Sequence, residues 1–171
     1  MRYFLVATCA VLMSAVFLGC SSISSDATSL LGKQAPESRL MLLTGDDIAI
    51  RSKEGTNVAL LFWATWCSHS STVISDFEDL ARLYAWKGDL EFFAVSVDKN
   101  ENIEVLKSRI QSQDLKTVTH VFSGNDTQDE AFLAFKGDHV PYVVFVDARG
   151  VVRFVDFSVS ALSEFLQSRF G

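Results

Sequence analysis

Proline occurs only twice in the 171 residues, cysteine three times, and nowhere do Lys and Arg gather into a cluster. Each scarcity excludes something. A chain that is 49% hydrophobic, with 14 Phe and 2 Pro, is too apolar for disorder, so a packed core is expected. A formal charge of -6 without a basic footprint argues against nucleic acid as a partner. There is no internal repeat. The length leaves room for a leader and one domain of about 140 residues, while two domains would be cramped.

What is present begins with a processing signal. Met1-Arg2 gives a short positive start, Tyr3 to Leu18 runs without a charge, and Phe17-Leu18-Gly19-Cys20 closes the run with small residues. The run is short for a membrane span. Its ending resembles the lipobox of bacterial lipoproteins, which implies cleavage before Cys20 and acylation of that cysteine. Ser21 then resembles the pattern sorted to the outer membrane. An ordinary cleaved signal and an uncleaved anchor are the alternatives. The division that follows is a signal peptide over 1–19, a lipidated cysteine with a flexible tether over 20–35, and a folded domain over 36–171. If Cys9 leaves with the leader and Cys20 carries lipid, Cys67 is the one thiol left, and no disulfide can close within the chain.

After the polar stretch Ser21 to Ser29, Leu40–Leu43 and Ile48–Ile50 flank the turn Thr44-Gly45-Asp46-Asp47 and predict a β-hairpin. Val58–Ala64 is a continuous apolar run, as expected of a strand buried on both faces. Val73, Phe77, Leu80, Leu83 and Tyr84 recur at helical spacing, predicting a helix from about Ser68. Leu90–Val97 reads as a strand, Glu101–Gln111 as a helix, Thr119–Phe122 as a short strand and Asp129–Phe135 as a short helix. Tyr142–Val146 and Val151–Val155 form a hairpin, and Ser160–Phe170 is a closing helix with Ser160 as its cap. The alternation predicts an α/β sandwich, a mixed sheet with helices on both faces.

The chemistry gathers in Trp63-Ala64-Thr65-Trp66-Cys67-Ser68-His69-Ser70. This segment resembles the Trp-Cys-x-x-Cys active site of thioredoxin-like proteins, and with the preceding hairpin it is similar to the TlpA/ResA branch of membrane-tethered thiol-disulfide proteins. Val140-Pro141 before a strand resembles the family's cis-proline loop, and Asp147–Val152 its turn between the last two strands. The resemblance implies a thioredoxin-like sandwich with an N-terminal β-hairpin, running from about Pro36 to the C-terminus.

A cysteine in the first turn of a helix faces unpaired N–H groups and the positive end of the dipole, which favour thiolate. His69 adds a positive charge or a hydrogen bond, or is a solvent-exposed loop histidine. Ser70 is the central departure. In the family a second cysteine at that position attacks the mixed disulfide and releases the partner; a serine hydroxyl can only donate a hydrogen bond to the Cys67 thiolate. Leu61 and Val73 stand where the family carries acids that assist proton transfer. Trp66, Val140 and Pro141 are expected to form a groove for an extended partner. Cys67, His69 and His139 offer a weak metal option with a poor ligand count, so no metal and no cofactor are expected.

The leading expectation is a lipid-anchored, periplasm-facing monothiol oxidoreductase or isomerase-like factor. It would form mixed disulfides through Cys67 with extracytoplasmic protein thiols or disulfides, and an external thiol would release them. The rival is a non-catalytic binding module holding a client in the Trp66/Pro141 groove. Peroxidase action is a third reading, without the flanking threonine and arginine that a peroxidatic thiol uses.

Overall fold

The computed structural model describes residues 25–50 and 55–171; the signal peptide, Cys9 and Cys20 lie outside them. A short helix α1 (Ser25–Thr28) precedes the hairpin β1 (Arg39–Met41) and β2 (Asp47–Ala49). Then come β3 (Asn57–Trp63), α2 (Ser70–Tyr84), β4 (Leu90–Ser96), α3 (Ile103–Ser112), β5 (Thr119–Phe122), α4 (Glu130–Ala134), β6 (Tyr142–Val146), β7 (Val152–Asp156) and α5 (Val159–Phe170). The main sheet has the order β5-β4-β3-β6-β7. β3, β4 and β5 run parallel, while β6 and β7 are antiparallel to their neighbours. This is the thioredoxin-like α/β sandwich with an N-terminal hairpin.

Period-two alternation builds both layers from the same strands. Val58, Leu60 and Phe62 of β3 join Phe93, Val95, Tyr142 and Val144 in a core closed by α4 through Ala131 and Phe132. Ala59, Leu61 and Trp63 point the other way and join Val143 and Phe145 under α2 and α5. All seven residues of β3 are buried, as its unbroken apolar run requires of a central strand covered on both faces.

Three expectations are corrected. Residues 20–35 are not a loose tether where they are described. Ala27 and Leu30 are buried in the first core, and Gly32 N–H donates to Val152 O at 2.9 Å, Val152 N–H to Lys33 O at 2.9 Å and Ala35 N–H to Gly150 O at 2.7 Å. The polar composition conceals two apolar residues three apart, and the backbone after them covers the edge next to β7, which would otherwise be left unpaired. The cap of α5 is Ser158, whose Oγ accepts from Ala161 N–H at 3.3 Å, because Val159 is buried and already helical. Finally, α2 starts at Ser70 with His69 as its N-cap, so Cys67 precedes the helix rather than sitting in its first turn.

Candidate functional site

β3 enters α2 through Ala64 to His69, and the crossover to the parallel strand β4 puts this loop at the C-terminal end of the sheet, where sites of α/β folds collect. The loop is a chain of tight turns: Cys67 N–H donates to Ala64 O at 3.3 Å and Ser70 N–H to Cys67 O at 3.1 Å. β6 runs antiparallel to β3 with Tyr142 opposite Phe62. The residues just before β6 therefore arrive at the same end as Cys67. Val140-Pro141 is a cis peptide bond, and the half-buried Cys67 thiol donates to Val140 O at 3.5 Å. Tyr142 fastens this segment from below by donating its hydroxyl to Phe135 O at 2.9 Å. Burial, with the charge of Asp138 adding to it, pushes the Tyr142 phenol above its ordinary range, so it stays a donor.

Ser70 is fully buried, and its Oγ accepts the Ala64 N–H at 3.5 Å. The hydroxyl proposed from sequence as a donor to Cys67 is bonded as an acceptor from the strand end, which leaves its own proton to donate. Leu61 and Val73 are both packed in the apolar layer under α2, so the positions that carry acids in the resemblance hold only hydrocarbon here.

The other predicted residues divide between two cavities. One of about 560 Å³ is lined by His69, His139, Val140, Pro141, Phe157 and their neighbours. His139 lies against Phe157, ring centroids 3.9 Å apart, and its Nδ1 is 2.6 Å from Asp138 Oδ1. The other, of about 390 Å³, is lined by Trp66 with Lys99, Glu101, Asn102, Asp126 and Thr127. Trp66 is 55% exposed. Trp66 thus lines one hollow and Val140 and Pro141 the other. Among the described residues no group of three His, Cys, Asp or Glu side chains is placed to hold a metal. No described helix is long and apolar enough to cross a membrane.

Sequence reasoning missed Asp98. It is fully buried two residues past the end of β4, and it accepts from Thr65 N–H at 3.2 and 3.0 Å, from the Thr65 hydroxyl at 2.7 Å and from the Ser96 hydroxyl at 2.7 Å. The available signal was an acidic residue immediately following the apolar run Leu90–Val97, at the end of the strand that neighbours the cysteine-bearing one.

Residues 31–155 match the AhpC/TSA family. The thioredoxin-like protein YneN of Bacillus subtilis is 36% identical over 73 residues, 43% of this chain and 42% of that one. The thiol-disulfide oxidoreductase ResA of Bacillus cereus is 31% identical over 86 residues, 50% of this chain and 48% of that one. The chain thus spans about half the length of the curated relatives it matches. A thiol-disulfide oxidoreductase structure from Bacteroides fragilis superposes with a TM-score of 0.72 at 18% identity, covering 81% of this chain and 100% of that one, a likeness of fold.

Proposed function

The chain belongs to the AhpC/TSA family, and on that premise we propose that it is an extracytoplasmic monothiol disulfide-exchange protein, anchored through lipid on Cys20 and acting on protein partners through Cys67. The observation that carries the reading is the Cys67 thiol, half-buried and 3.5 Å from the carbonyl of Val140 beside cis-Pro141, with Ser70 buried in the second position of the motif. That carbonyl lies beside the sulfur, where the backbone of an extended client would lie.

The reaction is thiol-disulfide exchange in two steps. The Cys67 thiolate attacks one sulfur of a client disulfide, forming a Cys67–client bond as the client S–S bond breaks and its other sulfur leaves as a thiolate. An external thiolate then attacks the client sulfur of the mixed disulfide, and Cys67 leaves as the thiolate it began as. The client ends as a disulfide with the external thiol, so two steps of exchange consume no oxidant. Ser70 cannot perform the second attack from within.

A specific observation favours the second reading, a client-binding module. Ser70 is buried in the second position of the motif and Cys67 is the one free cysteine among the described residues, so no described thiol of this chain could release a client from a mixed disulfide. Peroxidase action has less support, because Thr65, the threonine nearest Cys67, gives its hydroxyl to Asp98. Trapping separates the first two readings. Wild type and Cys67→Ser are recovered from the cell envelope under alkylating conditions and compared on non-reducing gels. Disulfide exchange requires adducts on the wild type that vanish with dithiothreitol and are missing from Cys67→Ser. Identical partners held by both proteins would establish the binding module instead.

A further inference from the structure

Asp98 is a buried carboxylate that the exchange reaction does not touch, and we propose that it is a positioning residue that fixes the nucleophile loop through Thr65; this rests on the disulfide-exchange reading of Cys67. Register places it there. Ser96 pairs with Trp63 across β4 and β3, and Val97 N–H donates to Trp63 O at 2.9 Å. The next residue, Asp98, therefore stands level with the chain as it leaves β3. Both of its oxygens receive the Thr65 N–H, one takes the Thr65 hydroxyl and the other the Ser96 hydroxyl.

Every one of these donors is neutral. Lys99, next in the chain, turns its amine to Asp126 at 3.7 Å. A fully buried acidic side chain held by neutral donors alone is a costly clamp, tolerated only because its oxygens are hydrogen-bonded. It is spent on the loop two residues before Cys67. The amide before it is taken as well, since Ala64 N–H goes to Ser70 Oγ. Two successive N–H groups on the approach to the sulfur are thus held by buried side chains, one from the strand beside β3 and one from α2. With the loop pinned on one side and Sγ resting on Val140 O on the other, the sulfur is fixed relative to the backbone against which a client would lie. Displacing a reacting atom by about 1 Å costs on the order of 100-fold in rate.

The test uses the full chain and two reagents that differ in their demand for orientation: a peptide disulfide, which must approach along Val140, and iodoacetamide, which is small. Rates of reaction at Cys67 are measured across pH for wild type, Thr65→Val, Thr65→Ser and Asp98→Asn, each checked for folding by thermal melt. Thr65→Val and Asp98→Asn should slow mixed-disulfide formation about 10- to 100-fold and alkylation much less, with Thr65→Ser returning most of the lost rate. A folded Thr65→Val that reacts with the peptide as fast as wild type overturns the proposal. So does a Thr65→Ser as slow as Thr65→Val, which would assign the effect to packing of the methyl group. Should Asp98→Asn fail to fold, the two threonine variants decide alone. A wild type that alkylates but never forms the mixed disulfide would instead remove the exchange reading, and the proposal with it.

Discussion

At the scale of the residue, the second position of the motif decides what the protein can complete. Ser70 is buried and bonded to Ala64, so it stabilises the loop, yet it offers no sulfur for release. Ser70→Cys should restore that step: the variant is expected to close an internal disulfide between Cys67 and the introduced thiol, to shed trapped partners, and to turn over insulin with dithiothreitol as reductant where wild type does not. Gel mobility before and after reduction and the turbidity assay measure both effects. A wild type with robust turnover would show that Ser70 is no handicap. The thiol, its cis-proline neighbour and the substitution at position 70 were legible in the sequence because they belong to short contiguous motifs. Asp98 was not, because its partner Thr65 is 33 positions away in sequence and only the register of β4 against β3 brings them together.

At the scale of the element, titratable groups tie helices to strands and set how stability depends on pH. Glu78 on α2 is buried and accepts from the N–H groups of Lys116, Thr117 and Val118. Burial alone would raise its pKa, but the bonds from Thr117 and its neighbours outweigh burial and hold it below the ordinary 4.5. Asp147 behaves alike: burial is outweighed by Arg153 and by the amides of Val151 and Arg149, so it lies below 3.8. His120 of β5 is pushed below 6.5, chiefly by burial, against the opposing bond to Leu115 O and the charge of Glu78. Its Nε2 meets Leu115 O at 3.0 Å while Nδ1 is buried without a partner. The signs agree. The two carboxylates contribute stability that is whole above their unfolded values and is lost as pH falls through their lower folded ones. The imidazole resists a proton that the unfolded chain accepts, so stability declines below pH 6.5 until the folded ring is protonated too. Urea midpoints measured from pH 8 to pH 3 should therefore fall in two stages. His120→Gln should flatten the upper one, and Glu78→Ala should weaken the lower one while costing about 1–3 kcal/mol at neutral pH for amides left unpaired. A single decline unchanged in His120→Gln would contradict this assignment. Helix and strand identities followed from periodicity, whereas ends depended on single contacts, as Ser158 capping α5 illustrates.

At the scale of the whole molecule, the sandwich was legible because β3, β4 and β6 carry runs too apolar for anything but a sheet covered on both sides. What the pattern concealed was how soon the fold begins. Ala27 is already buried and the chain from Gly32 to Ala35 is bonded to Gly150 and Val152 at the start of β7, so only five steps separate Cys20 from the first described residue, Ser25. Fully extended, they span about 18 Å. If Cys20 carries lipid, the start of the described domain is held within that reach of the bilayer. Stable attachment needs two acyl chains or their equivalent. Cys20→Ala should therefore move the protein from the membrane to the soluble fraction, or leave it with an uncleaved leader and altered mobility. Its thermal midpoint as a folded domain should stay close to that of wild type, since the substituted residue precedes Ala27, the first buried side chain among the described residues. Cell fractionation followed by immunoblotting reads the first effect and a thermal melt the second. A Cys20→Ala protein that stays with the membrane at unchanged mobility would show that attachment does not run through that cysteine.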